Sequence, residues 1–106
     1  MAFTIKQNDT SPSILATLTD GNNTAINLTS ATVRMHMKSL EGVIKIDSAA
    51  TVINAVEGIV RYDWVAGDTD THGTYYVEFE VTYSDDAVET FPNTGSLSVV
   101  VVKELN

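Results

Sequence analysis

The sequence contains no cysteine. Disulfide bridges, thiolate metal sites and cysteine nucleophiles are therefore excluded, and a domain of this size must be held together by packing or by assembly. Basic residues are also scarce, since 6 Lys and Arg stand against 14 Asp and Glu and the formal net charge is −8. Because such a chain is repelled by phosphate groups, we expect neither nucleic acid nor an anionic membrane surface as a partner.

Long apolar runs are missing as well. The first residues, Met1–Lys6, lack the apolar stretch of a signal peptide, and no segment approaches the length of a membrane span. We therefore expect synthesis in a cytoplasm without export. The 106 residues, 43% of them hydrophobic, suffice for one core, and no linker or repeat divides them. The prediction is a single domain over residues 1–106.

Alternation of apolar and polar residues is the main signal of secondary structure, and a sustained helical period is absent. Residues 32–38 and 75–83 alternate most clearly, and turn sequences such as Asp20-Gly21 separate shorter runs. Val43–Asp47 and Thr51–Ile53 are predicted as separate short strands. The pattern amounts to about eight or nine strands and predicts an all-β fold, an immunoglobulin-like antiparallel β-sandwich of two sheets.

The segment Gly73–Val77 resembles the tyrosine corner of immunoglobulin-like domains. In that corner a tyrosine opens a strand and its hydroxyl group reaches back to the preceding loop. We therefore expect Gly73 and Tyr75 to form a corner, and Phe79 and Trp64 to lie in the core.

Residues with chemically active side chains form no recognisable catalytic pattern. His36 and His72 have no triad partner at a known spacing, and Glu78 and Glu80 alternate with core residues, which indicates a solvated strand face. Residues 68–73 begin like a calcium-binding EF-hand loop, but the twelfth position is Phe79, which cannot be a ligand. A loose calcium or magnesium site there is an alternative to an ordinary loop. We predict a protein that is not an enzyme and has no cofactor or metal.

Four consecutive valines, 99–102, make both faces of the last strand apolar. A sandwich buries only one face of each strand, so either a loop or another subunit must cover the second face. An edge strand of this kind would suit sheet augmentation or contacts between subunits. The candidate interface residues are Phe3 and Ile5 on the first strand, and Val100 and Val102 on the last.

Several segments stand in a characteristic order over nearly the whole chain: Phe3–Lys6, Asp9–Pro12, Leu18–Gly21, Ile26–Val33, Gly58–Tyr62, Asp68-Thr69, Gly73–Tyr83 and Thr90–Pro92. In this order they resemble the N-terminal domain family of phage baseplate upper proteins. The resemblance implies an immunoglobulin-like sandwich in a virion that attaches a longer protein to the tail or baseplate and associates with copies of itself. It implies neither catalysis nor a cofactor. Two features depart from the family: Asp85-Asp86-Ala87 replaces an Asp-Gly turn, and the sequence ends at Asn106, where the family continues into further segments.

The function predicted from these observations is that of a phage virion structural protein. It would be a tail, baseplate or head–tail adaptor component that contacts other virion proteins as a homo-oligomer or in many copies. A capsid decoration protein is one alternative. A carbohydrate-binding β-sandwich module is another, because Tyr76 places an aromatic ring on a polar strand face.

Overall fold

The computed structural model describes residues 2–93 and 97–105, and the regular structure in these ranges is all β. The eight strands are β1 (Ala2–Lys6), β2 (Ile14–Thr17), β3 (Thr32–Ser39), β4 (Ile44–Asn54), β5 (Ile59–Tyr62), β6 (Gly73–Thr82), β7 (Val88–Phe91) and β8 (Leu97–Val102). Within the described residues no helix is long and apolar enough to cross a membrane. The predicted turn Pro92–Gly95 lies partly outside the described residues.

The eight strands belong to one sheet with the order β1-β8-β6-β3-β4-β5-β2. Strand β7 also pairs with β6, beside Phe79–Thr82, whereas β8 pairs with Gly73–Val77. Strands β7 and β8 therefore lie end to end along the same edge of β6. Every pair is antiparallel except β1 with β8, which is parallel.

Strand β4 connects the two parts of this sheet. Its first residues pair with β3, from Ile44 to Ala50, and its last residues pair with β5, from Thr51 to Asn54. The sheet curls around this strand into a nearly closed, barrel-like form. The all-β prediction is confirmed, whereas a division into two separate sheets is not confirmed, because β4 belongs to both parts. The prediction of two strands within 43–53 is wrong, because residues 48–50 also pair with β3 and keep the strand continuous.

The core lies on the concave side of the curled sheet. The alternating residues of β3 and β6 point into it, and each of them is at most 6% exposed: Val33, Met35, Met37, Tyr75, Val77, Phe79 and Val81. The residues between them point outward, as a period of two requires. The apolar alternation in 32–38 and 75–83 therefore identifies the buried faces of these two strands.

A close backbone contact joins the β4–β5 turn to the segment that follows β2. The N–H of Leu18 donates to the carbonyl oxygen of Gly58 at 2.8 Å, and the N–H of Leu28 donates to that of Ala55 at 2.7 Å. Gly58 has a φ of +68°, and a Cβ atom there would lie 2.7 Å from the carbonyl oxygen of Ile26. Glycine is required here both by the backbone conformation and by this approach.

The last strand does not lie at an edge of the sheet. Strand β8 lies between β1 and β6, with Val100 opposite Thr4 on one side and Thr74 on the other. The expectation that the valine strand offers a free edge is therefore wrong. The edge strand on this side of the sheet is β1. It pairs with β8 although the two strands are far apart in sequence.

Candidate interaction surfaces

Three of the four predicted core and corner residues are buried aromatic side chains of the same hydrophobic core. Phe79 is 0% exposed, Trp64 is 5% exposed and Tyr75 is 6% exposed. The Tyr75 hydroxyl donates to the carbonyl oxygen of Thr71 at 2.7 Å, which is the hydrogen bond of a tyrosine corner. Gly73 begins β6 with a φ of +145°, a conformation that favours glycine.

Trp64 closes the core next to the first strand. Its ring lies 5.9 Å from that of Phe3 and meets that of Tyr62 edge-on at 5.5 Å. The indole N–H donates to the carbonyl oxygen of Pro12 at 3.0 Å, so its polar atom is satisfied within the protein. These contacts give Phe3 a structural role in the packing of the core.

The predicted interface residues divide between core and surface. Ile5 is only 3% exposed and packs in the core, so it is not available to a partner, and its assignment to an interface is wrong. Phe3 and Val100 are half-buried, and Val102 is 37% exposed. Of the four residues, Val100 and Val102 therefore lie on the outer face of the sheet, where Thr4 and Thr74 flank Val100.

A rigid turn between β3 and β4 presents apolar side chains to solvent. The N–H groups of Ser39 and Gly42 donate to the carbonyl oxygens of Val43 and Ser39, and the Ser39 hydroxyl accepts from the N–H of Val43. Leu40 is 57% exposed, Val43 66% and Ile44 61%. These three side chains are called the turn patch below. Because exposed apolar side chains that gather on a surface mark sites of contact with other proteins, the turn patch is the first candidate surface.

The outer face of the sheet beside the turn is charged. Arg34 Nε donates to Asp47 Oδ1 at 2.9 Å, and His36 Nε2 lies 3.1 Å from the same oxygen. The hydrogen bond from Arg34 lowers the pKa of the Asp47 carboxyl group. Glu78 and Glu80 lie opposite His36 and Arg34 on the neighbouring strand. The two glutamates therefore belong to a half-buried cross-strand array of charged side chains, and their surroundings are not those of a fully buried acid–base pair.

A shallow depression of about 320 Å³ lies between this charged face and the turn patch. Tyr76 is 46% exposed at its wall. The other lining residues include His36, Lys38, Leu40 and Glu78. An exposed ring beside polar side chains could stack on a flat apolar face of a small ligand and hydrogen-bond to its polar groups.

The loop that resembles a calcium-binding loop is held by internal contacts. Asp68 accepts hydrogen bonds from the Tyr62 hydroxyl at 2.6 Å and from the N–H of Val65 at 2.9 Å. Asp70 pairs with Lys45 on β4, and this ion pair lowers the pKa of the Asp70 carboxyl group. Nowhere in residues 2–93 and 97–105 do three or more His, Cys, Asp or Glu side chains come together as metal ligands would. The carboxylates of this loop point to different partners and stabilise its fold.

Sequence reasoning missed the turn patch. Its signal was present as two adjacent apolar residues, Val43 and Ile44, directly after the Glu41-Gly42 turn. A strand that is half-buried alternates its apolar residues, so two in a row beside a turn must place at least one of them outward.

Comparison with known proteins identifies one family. The model of the BppU N-terminal domain matches residues 2–106. The crystal structure of CopC from Methylosinus trichosporium OB3b is similar, with a TM-score of 0.56 at 13% sequence identity. The similarity covers 99% of this chain and 87% of that chain, and it shows a shared β fold alone. No curated protein matches the chain.

Proposed function

Because the chain belongs to the BppU N-terminal domain family, a family of phage baseplate upper protein domains, we propose that it is a non-enzymatic structural component of a phage tail or baseplate. It would act through contacts with other virion proteins, in several copies, as one immunoglobulin-like domain. The observation that supports this most directly is the family match over residues 2–106.

The turn patch supports contact with a partner protein. Leu40, Val43 and Ile44 are each more than half exposed, on a turn whose backbone is held by hydrogen bonds at one end of the sheet. Burial of such side chains stabilises a complex by about 25 cal/mol for each Å² of apolar surface removed from water. Because the turn is already ordered by its own hydrogen bonds, little conformational entropy would be lost on binding.

Mass spectrometry of purified phage particles tests this proposal. Particles are dissociated, heads and tails are separated on a gradient, and one known head protein and one known tail protein mark the fractions. We expect peptides of this chain in the tail fraction, at several copies per particle. Recovery in the head fraction would instead indicate a capsid decoration protein. Absence from purified particles would refute a structural role.

The depression beside Tyr76 favours a second candidate, a carbohydrate-binding surface. The half-exposed ring lies next to His36, Lys38 and Glu78, which could bond to sugar hydroxyl groups. A glycan array with the wild-type chain and with Tyr76→Ala tests it. Binding that is lost in Tyr76→Ala would support this candidate, and no binding by the wild-type chain would remove it.

A further inference from the structure

The curled sheet is open along a seam between β2 and the opposite side, where β7 and β8 lie. Strand β2 pairs only with β5, and β7 pairs only with β6, so in the part of the chain that the structure describes each has one edge without a neighbouring strand. A narrow cleft of about 70 Å³ lies along this seam. Its lining includes Phe79 and Phe91, which are at most 1% exposed, together with Ala16, Leu18 and Leu97. The seam therefore lies directly over side chains of the core.

The free edge of β2 presents backbone groups to the seam. In an antiparallel pair, only alternate residues exchange hydrogen bonds with the neighbouring strand. The N–H of Leu18 bonds to the β4–β5 turn, and the register of β2 with β5 continues this bonded set at Ala16 and Ile14. The N–H and C=O groups of Leu15 and Thr17 therefore point away from β5. No loop or side chain within residues 2–93 and 97–105 bonds to them, so they are available to another strand.

Free edges are usually protected against pairing with other chains by charged residues or proline, and β2 differs in this respect from the other edges. Glu89 of β7 lies opposite the buried Val81, so its charge is on the core side of the sheet, and Pro92 follows this strand. Strand β1 ends with Lys6. Strand β2 contains neither a charged residue nor a proline, and Leu15 on its outer face is 62% exposed. Of the three edges, β2 is therefore the one best suited to pair with an added strand.

The surroundings of this edge are acidic. Strand β2 runs toward the end of the molecule that comprises the turns at 20–23, 55–58 and 83–87. These turns and β7 contain five carboxylates and no Lys or Arg: Asp20, Glu57, Asp85, Asp86 and Glu89. The formal charge there is therefore −5. Arg61 lies opposite Leu15 on β5, but Asp63 is 3.0 Å from it and balances its charge. A strand that binds here is therefore favoured when it is basic.

We propose that the free edge of β2 binds an extended segment of a partner protein in which apolar residues alternate with Lys or Arg. The inference rests on the proposed structural function and describes the chemistry of the partner. The segment would exchange hydrogen bonds with the backbone of Leu15 and Thr17, as strands added to a sheet edge do. Because successive side chains point to opposite faces, its apolar residues would cover the cleft beside Phe91 and its basic residues would face solvent near the carboxylates.

Titration of the isotope-labelled chain with synthetic peptides, followed by amide NMR spectra, tests this proposal. The probe is an acetylated and amidated peptide of alternating valine and lysine, about six residues long, which is the length of a typical strand. We expect the largest shift changes at the amides of Leu15 and Thr17 and a dissociation constant below about 1 mM. The same peptide with glutamate in place of lysine should bind at least about tenfold more weakly, because the chain carries a net charge of −8.

Three results of this titration would overturn the proposal. The first is the absence of shift changes up to about 5 mM lysine peptide. The second is a set of changes confined to the turn patch or to the depression beside Tyr76. The third is equal binding of the lysine and glutamate peptides, which would mean that the acidic surroundings do not select the segment.

Variants of β2 test whether its free edge is the binding site. Thr17→Pro removes an N–H that points to the seam and no hydrogen bond to β5, a change that sheet edges tolerate. It should weaken binding of the lysine peptide at least about tenfold. Thr17→Ala is the matched control, because it keeps the N–H and should bind like the wild-type chain. Far-ultraviolet circular dichroism verifies that both variants are folded.

A second variant keeps the test decisive if Thr17→Pro does not fold. Leu15→Lys places a positive charge on the outer face of β2 and should weaken binding of the lysine peptide at least about fivefold. Val65→Lys makes the same change of charge at a residue that is 59% exposed in the loop after β5, and it should bind nearly like the wild-type chain. Undiminished binding by Leu15→Lys, or by folded Thr17→Pro, overturns the proposal.

Pairing of this edge with a second copy of the chain is a separate outcome. It would appear without peptide, as shifts of the Leu15 and Thr17 amides that change with the concentration of the chain, and it would overturn the assignment of the edge to a basic partner segment. Failure of the peptide to bind leaves untouched the recovery of the chain in tail fractions, which tests the proposed function separately.

Discussion

Replacing Gly58 by alanine tests whether the close contact between the β4–β5 turn and the segment after β2 is required for stability. A residue with a Cβ atom loses about 1 kcal/mol at a φ of +68°. The new atom would also lie 2.7 Å from the carbonyl oxygen of Ile26 and 2.8 Å from that of Leu18, and both are backbone atoms that must move away.

Movement of the backbone at Leu18 and Ile26 away from Gly58 weakens two hydrogen bonds. They are the 2.8 Å bond from the N–H of Leu18 to the carbonyl oxygen of Gly58 and the 2.9 Å bond from the N–H of Ile26 to that of Leu18. Each contributes about 1 kcal/mol, so Gly58→Ala should lower the free energy of unfolding by about 3 kcal/mol. For a chain of this length the melting temperature should fall by about 15 °C.

Gly42→Ala is the control for the backbone conformation. Gly42 has a φ of +90° but nothing lies within 4 Å of its Cβ position, so this variant should lose only about 1 kcal/mol and about 5 °C. Thermal unfolding followed by the fluorescence of the single tryptophan, Trp64, measures both variants. If Gly58→Ala is no less stable than Gly42→Ala, the close backbone contact does not contribute as calculated.

Two further predictions concern tyrosine hydroxyl groups. Tyr75→Phe removes the 2.7 Å hydrogen bond to the Thr71 carbonyl oxygen and should lower the free energy of unfolding, measured by urea denaturation, by about 1 kcal/mol. Tyr76→Phe, at a half-exposed position, should change this free energy by less than about 0.5 kcal/mol. Equal effects of the two substitutions would contradict a stabilising corner. Burial, with the neighbouring Glu89 carboxylate, raises the pKa of Tyr83 to about 12 from its usual value near 10. Because the folded pKa exceeds the unfolded one, this stabilisation is complete below pH 10 and is lost as pH rises through 12. Urea denaturation between these pH values should therefore show a steeper loss of stability for the wild-type chain than for Tyr83→Phe, and identical slopes would refute this linkage.

The proposed structural function depends on surfaces rather than on a pocket. In the described residues, some charged side chains pair across strands, as Arg34 and Asp47 do, and others stabilise loops, as Asp68 does. Exposed pairs of this kind contribute little to stability.

The sequence by itself determined which residues of the two central strands, β3 and β6, are buried. Alternation in 32–38 and 75–83 identified the inward faces of β3 and β6, including Phe79 at 0% exposure. The pattern Gly73–Val77 anticipated the hydrogen bond of Tyr75. These features are local: a period of two depends only on the direction in which successive side chains leave one strand.

Only the tertiary structure decided which strands are neighbours. Pairing of β1 with β8 moved the valine strand from the expected edge into the sheet and placed Ile5 in the core. The continuity of β4 through residues 48–50 joined two expected sheets into one. Likewise, Lys6 and Lys103, which are 97 residues apart in sequence, lie at neighbouring ends of the paired strands β1 and β8. The physical reason is that strand pairing and the grouping of charges depend on contacts between distant parts of the chain. The local alternation of apolar and polar residues contains no information about these contacts.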